Sequence, residues 1–138
     1  MKILFLCRGN VGRSQMASAL FNKYTGLKTL SAGTKVLDKE GQKLKEISLA
    51  EPVIRFMKEE GIDLSENPRK QITEEMMRDF NKIINMSEPE KTPDYIKNNP
   101  KTIHWEIKDP KEQNDEFYKN TIRLLKEKIK SFIEENNL

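Results

Sequence analysis

The chain has 138 residues, 36% of them apolar and 34% charged, with 25 basic against 22 acidic residues and a net charge of +3. That length suits one domain, residues 1–138, around one core, and the interspersed charges give no bulk positive field for nucleic acid. A single cysteine, Cys7, and a single histidine, His104, exclude an internal disulfide and argue against a multi-cysteine or histidine-rich metal site.

Residues 2–6, KILFL, form an apolar run expected as a strand buried on both faces. The run ends at CRGN, too short for the apolar region of a signal peptide. No stretch approaches a membrane span, so the expected location is the cytoplasm. Residues 13–24, RSQMASALFNKY, are good helix formers, with Gly26 as the stop. Residues 28–32, KTLSA, predict a second strand closed by Gly33, followed by a polar, lysine-rich loop over 34–50. A helix is expected at 51–60, with Pro52 in its first turn and Gly61 just beyond its end. The basic segment NPRKQ (67–71) comes next, and Thr73 is placed to N-cap the short helix EEMMRDF.

KIINM (82–86) and TIHWEI (102–107) predict the third and fourth strands, separated by a proline-rich loop with room for one helical turn. Near the C-terminus, Tyr118, Ile122, Leu125, Ile129 and Phe132 recur at steps of four and three. They make one apolar stripe on a helix of about five turns. Strands alternating with helices predict an α/β domain with a parallel sheet and right-handed crossovers. Ligands in such sheets bind at the carboxyl ends of the strands, where CRGNVGRS (7–14) lies.

The residue types of that stretch suit an oxyanion. A glycine-containing turn from strand to helix can aim several backbone N–H groups at one anion. Arg13 adds a planar charged fork able to grip two oxygens. The same field favours the thiolate of Cys7, to which Ser14 can donate a hydrogen bond. A nucleophile then lies beneath a bound tetrahedral anion, the arrangement for covalent catalysis through a thiophosphate or thio-arsenate adduct. The competing reading makes Cys7 a small core residue at an incidental loop. Asp109, before Pro110 and after the fourth strand, is placed to protonate a leaving oxygen, or else simply begins a turn. Arg8 either adds to the positive potential or faces solvent. His104 and Trp105 are expected to pack at a strand end, and Met76, Met77 and Met86 to fill core.

CRGNVGRS resembles the Cys-x-Gly-Asn-x-x-Arg-Ser loop of low-molecular-weight protein tyrosine phosphatases and the related arsenate reductases. The likeness continues through SQMA, SAG (31–33), EEGIDLS (59–65), Lys70-x-Ile-Thr, KIINM and Asp109-Pro110, in order along nearly the whole chain. It implies a four-stranded parallel sheet flanked by helices. It also implies Cys7 as nucleophile, Asp109 as general acid and an oxyanion cradle made by Arg8, Gly9, Asn10, Val11, Gly12 and Arg13. Asn10 would hold the loop's shape and Ser14 would stabilise the thiolate, with no cofactor and no metal.

Three departures bear on function. Gly12 stands where many relatives carry a second cysteine, and the loop after the third strand has no cysteine, so an internal disulfide relay is impossible. Lys111 follows Asp-Pro where tyrosine phosphatases of this family carry an aromatic residue. Residues 34–50 also contain no aromatic wall, so a phosphotyrosine ring is expected to lack its usual stacking partners. Lys35, Lys39, Lys43 and Lys45 read as a solvated loop ahead of a substrate-recruiting patch. The expected function is a phosphomonoesterase of the tyrosine phosphatase type, its substrate a phosphotyrosine protein. The alternatives are a single-cysteine arsenate reductase served by an external thiol or glutaredoxin-like partner, and an oxyanion-binding module without turnover.

Overall fold

The computed structural model describes residues 1–138. Strand β1 (Ile3–Cys7) is buried along its whole length. Because successive side chains of a strand point to opposite faces, Ile3, Phe5 and Cys7 join one apolar cluster while Leu4 and Leu6 join another. β1 is flanked in parallel by β2 (Leu30–Gly33) and β3 (Lys82–Asn85), and β4 (Thr102–His104) closes the edge in the order β2-β1-β3-β4. The register pairs Leu6 with Ala32 on one side and with Asn85 on the other.

Helices α1 (Arg13–Thr25), α2 (Glu51–Glu59) and α4 (Asp115–Glu135) cover the first face. The expected stripe of α4 is fully buried there, from Tyr118 to Phe132. Phe132 meets Phe21 of α1 at a centroid distance of 6.1 Å and Trp105 at 6.3 Å, both edge to face. The second face is smaller. Ile72, Met77 and Ile96 of α3 (Asp94–Lys97) pack there on Leu4, Leu6, Ala32 and Ile83. Met77 and Met86 are core residues, as expected.

Gly26 ends α1 in the left-handed conformation at φ 75°, the conformation glycine adopts without penalty. Thr73 Oγ1 accepts from Met76 N (3.3 Å), but it is not the N-cap: that position is Glu74, without a side-chain cap, and Glu75–Asp79 is a 3-10 turn and not an α-helix. The expected strand over 102–107 stops after His104. Trp105 N still donates to Asn85 O, but the chain then leaves the sheet and crosses toward the end of β1, where Ile107 O is taken by Arg13. His104 is exposed and only Trp105 packs inward. No helix is long and apolar enough to cross a membrane.

Candidate active site

β1 lies between neighbours reached in opposite directions, so its carboxyl end opens at the point where the sheet order switches. The loop 8–12 leaves β1 there and runs into α1 at Arg13. Gly9, Asn10, Val11 and Gly12 donate none of their backbone N–H groups to the protein, which leaves four donors beside Cys7. Such a nest at a helix N-terminus favours an anion. A cavity of about 330 Å³ opens over it. Cys7, Arg8, Gly9, Val11, Gly12, Arg13 and Asp109 all line this cavity, whereas Asn10 and Ser14 stand behind the loop.

Asn10 is fully buried at φ 56°, a left-handed conformation that asparagine tolerates better than most residues. Its Nδ2 donates to Ser14 Oγ (2.8 Å) and Ser31 Oγ (3.1 Å), and its Oδ1 accepts from Lys70 N (2.8 Å). One side chain thus ties the loop to α1, β2 and the 67–71 segment. Ser14 Oγ in turn lies 3.0 Å from Cys7 Sγ. Gly33 closes the other flank: a Cβ there would come within 2.7 Å of Arg8 O. Thr34 N and Lys35 N donate to Cys7 O and Arg8 O, stitching the loop to the end of β2.

Arg13 is buried, and one nitrogen fixes it. Nη1 donates to Met86 O (2.7 Å), Glu88 Oε1 (2.9 Å) and Ile107 O (3.0 Å), joining α1 to the segments that follow β3 and β4. Nε and Nη2 form no hydrogen bond within the protein, so one edge of the fork is free for an anion. Burial pushes the Glu88 carboxyl up, but its own backbone N–H and the Arg13 guanidinium hold it below the ordinary value. Glu88 itself rests on a polar network in which Asn85, Ser87 and Thr92 are mutually bonded at 2.7–3.2 Å. Asp109 Oδ2 lies 3.7 Å from Arg13 Nη2 at the cavity mouth, and Asp109 Oδ1 accepts from Lys111 N.

This constellation of strand, loop and helix is matched by known proteins. The family model described as low molecular weight phosphotyrosine protein phosphatase matches residues 2–137. The chain belongs to that family. A low molecular weight protein tyrosine phosphatase from T. tengcongensis is 26% identical, covering 98% of this chain and 99% of that one, with a TM-score of 0.77. The YwlE arginine phosphatase from Geobacillus stearothermophilus is 25% identical, covering 99% and 92%, at 0.79. Vibrio vulnificus Wzb in complex with benzylphosphonate, 21% identical over 97% of both chains, shares the fold at 0.82.

As a phosphatase of this family, the chain brings Cys7, Arg13 and Asp109 into one cavity, as the sequence led one to expect. It also adds residues that sequence reasoning missed. Tyr118, assigned from its periodicity to a buried stripe, lines the cavity and stacks on Phe56 with centroids 6.0 Å apart. Ile47 and Leu49 reach the cavity from the supposedly solvated loop, so an apolar wall exists even though that loop is not aromatic. Of the four lysines singled out there, Lys43 and Lys45 pair with Glu66 and only Lys35 reaches the site. Arg69, visible in sequence only as part of a basic run, is in the cavity wall.

Proposed function

We propose that this phosphatase hydrolyses aryl phosphomonoesters, phosphotyrosine in proteins foremost, through a Cys7 thiophosphate. In the first step Cys7 Sγ attacks phosphorus, the bond to the leaving oxygen breaks, and Asp109 gives that oxygen its proton. In the second step Asp109 takes a proton from water, the water oxygen attacks phosphorus, and the S–P bond breaks to restore the thiolate and release phosphate. The loop N–H groups and the free edge of Arg13 hold the equatorial oxygens, where charge spreads in both transition states. Ser14 stabilises the thiolate at the start and end of the cycle.

The observation that carries this reading is the convergence at the carboxyl end of β1. Cys7, the 9–12 loop with its unspent N–H groups and Arg13 with its Nε/Nη2 edge free meet at one cavity, and a carboxyl stands 3.7 Å from that edge at the mouth. Oxyanions of phosphate size are the ligands this cradle suits. The apolar wall of Ile47, Leu49 and Tyr118 suits an aryl leaving group. A guanidinium leaving group would meet Arg8, Lys35 and Lys111 at the rim, which disfavours phosphoarginine. We further infer that the chain works as one domain in the cytoplasm, where a lone thiol stays reduced.

The test is turnover of p-nitrophenyl phosphate and phosphotyrosine peptide, with phosphoarginine and arsenate plus thiols as comparators. Cys7→Ser abolishes turnover, and Asp109→Asn lowers kcat by about 10²–10⁴. Thiol-dependent arsenite formation without phosphate release would overturn the reading.

A further inference from the structure

The cavity over Cys7 contains more positive charge than one phosphate needs. Arg8, Arg13, Lys35, Arg69 and Lys111 line it, against the single carboxylate of Asp109. Arg13 alone among these cations has carboxylates within 4 Å, Glu88 and Asp109. Arg8, Lys35, Arg69 and Lys111 have none. In a chain with 22 acidic residues, four unneutralised cations around one cavity raise its affinity for anions in a directed way.

Arg69 is the most firmly placed of the four. Its backbone is clamped on both sides, Arg69 N donating to Gln42 O and Gly41 N donating to Arg69 O, each at 2.9 Å. Its Nε donates to Gly9 O (2.9 Å) and its Nη1 to Gln42 Oε1 (3.0 Å). Nη2 makes no hydrogen bond in the protein and stands against the face of Gly9 that a Cβ would occupy, 3.6 Å away. The half-buried guanidinium is therefore fixed by two of its nitrogens and presents the third to the cavity. Lys35 and Lys111 are held at the backbone, to Arg8 O and Asp109 Oδ1, with exposed side chains free to follow a ligand.

We propose that this rim is a second anion subsite, with Arg69 as its fixed member and Lys35 and Lys111 as mobile ones, and that the favoured substrate is a phosphomonoester carrying a second anionic group beside the phosphate. The proposal rests on the phosphatase reading given above. The phosphate takes Arg13 and the loop N–H groups. The neighbouring carboxylate or phosphate then takes Arg69 Nη2 and the lysines. An acidic side chain flanking a phosphotyrosine and a carboxyl on a small aryl phosphate present the same chemistry, and two substrate pairs separate the sources.

The experiment compares kcat/KM for phenyl phosphate with 2-carboxyphenyl phosphate, and for a phosphotyrosine peptide flanked by alanines with one flanked by glutamates. The expected preference for the acidic member is about five- to tenfold, shrinking as salt is raised. A preference in the peptide pair alone assigns the second group to a polypeptide; one in the small-molecule pair alone assigns it to a metabolite-sized ligand. Arg69→Gln brings the ratio toward one. So does Lys35→Gln with Lys111→Gln, a double change at two exposed side chains, which keeps the test open if Arg69→Gln fails to fold. Equal rates within both pairs, or a preference that survives both sets of substitutions, would overturn the subsite while leaving the phosphatase reading intact. No turnover of phenyl phosphate at all would instead sink the phosphatase reading.

Discussion

Gly12 and Cys7 show how one side chain sets the chemistry available to the site. Gly12 has φ −113°, a value open to any residue, and a Cβ there would meet Val53 Cγ2 at 3.7 Å and Met16 Cε at 4.0 Å, ordinary contacts. No steric clash therefore requires glycine there. What its absent side chain removes is a second thiol near Cys7, the only cysteine of the chain. Peroxide oxidises a thiolate to a sulfenic acid, and without a thiol to condense with it the sulfur proceeds to sulfinic acid, which added thiols do not reverse. Gly12→Cys supplies that thiol, and its condensation with the sulfenic acid forms a disulfide and water. After a peroxide pulse, dithiothreitol should restore a much larger fraction of activity to Gly12→Cys than to the natural chain. Equal recovery in the two would count against the lone thiol as the cause.

At the scale of elements, legibility followed periodicity and failed where backbone atoms do the work. The stripe of α4 was plain from side-chain spacing, and all five of its residues are buried. Removing Leu125, fully buried in that stripe, with Leu125→Ala is expected to cost about 2–5 kcal/mol. Leu124→Ala, next to it but exposed, should change stability by about 0.5 kcal/mol or less. Urea midpoints of the two variants check the contrast. The end of β4 was not legible. TIHWEI alternates as a strand would, but its partner β3 ends at Asn85, and past Trp105 the chain runs on to place Ile107 O against Arg13. The 67–71 segment was likewise visible only as a basic run. Its role comes from main-chain groups: Lys70 N on Asn10, Lys70 O on Gly33 N, and the Arg69 backbone on residues 41 and 42. No residue-type pattern reports which carbonyl meets which amide across sixty residues. Cys7 and Arg13 were readable because their side chains hold fixed places in the 7–14 loop motif, and Asp109 because it precedes Pro110 after the fourth strand.

Across the whole molecule, the carboxylates set the response to acid. Hydrogen bonds from Lys45 and Lys43 hold Glu66 below its ordinary value, those from Arg55 hold Asp115 down, and Arg13 helps hold Glu88 down against burial. A folded-state value depressed below the unfolded one means the native chain binds fewer protons there. Its contribution is complete above the unfolded values, 4.5 for Glu and 3.8 for Asp, and is lost as pH falls through the native ones. The urea midpoint should therefore drop between about pH 6 and about pH 3. Glu88→Gln should show a shallower drop, because it removes one of the titrating groups. An unchanged slope would mean that Glu88 titrates alike in both states.

Arg13 Nη1, held by two carbonyls and a carboxylate, has one more consequence. The guanidinium cannot swing aside when the cavity is empty, so almost no conformational freedom remains to be lost when a tetrahedral anion arrives. A socket kept ready in this way does not distinguish incoming ester from departing inorganic phosphate. In a phosphate-rich milieu the enzyme's own product should therefore compete with substrate, and contacts outside the socket are the ones that would favour substrate.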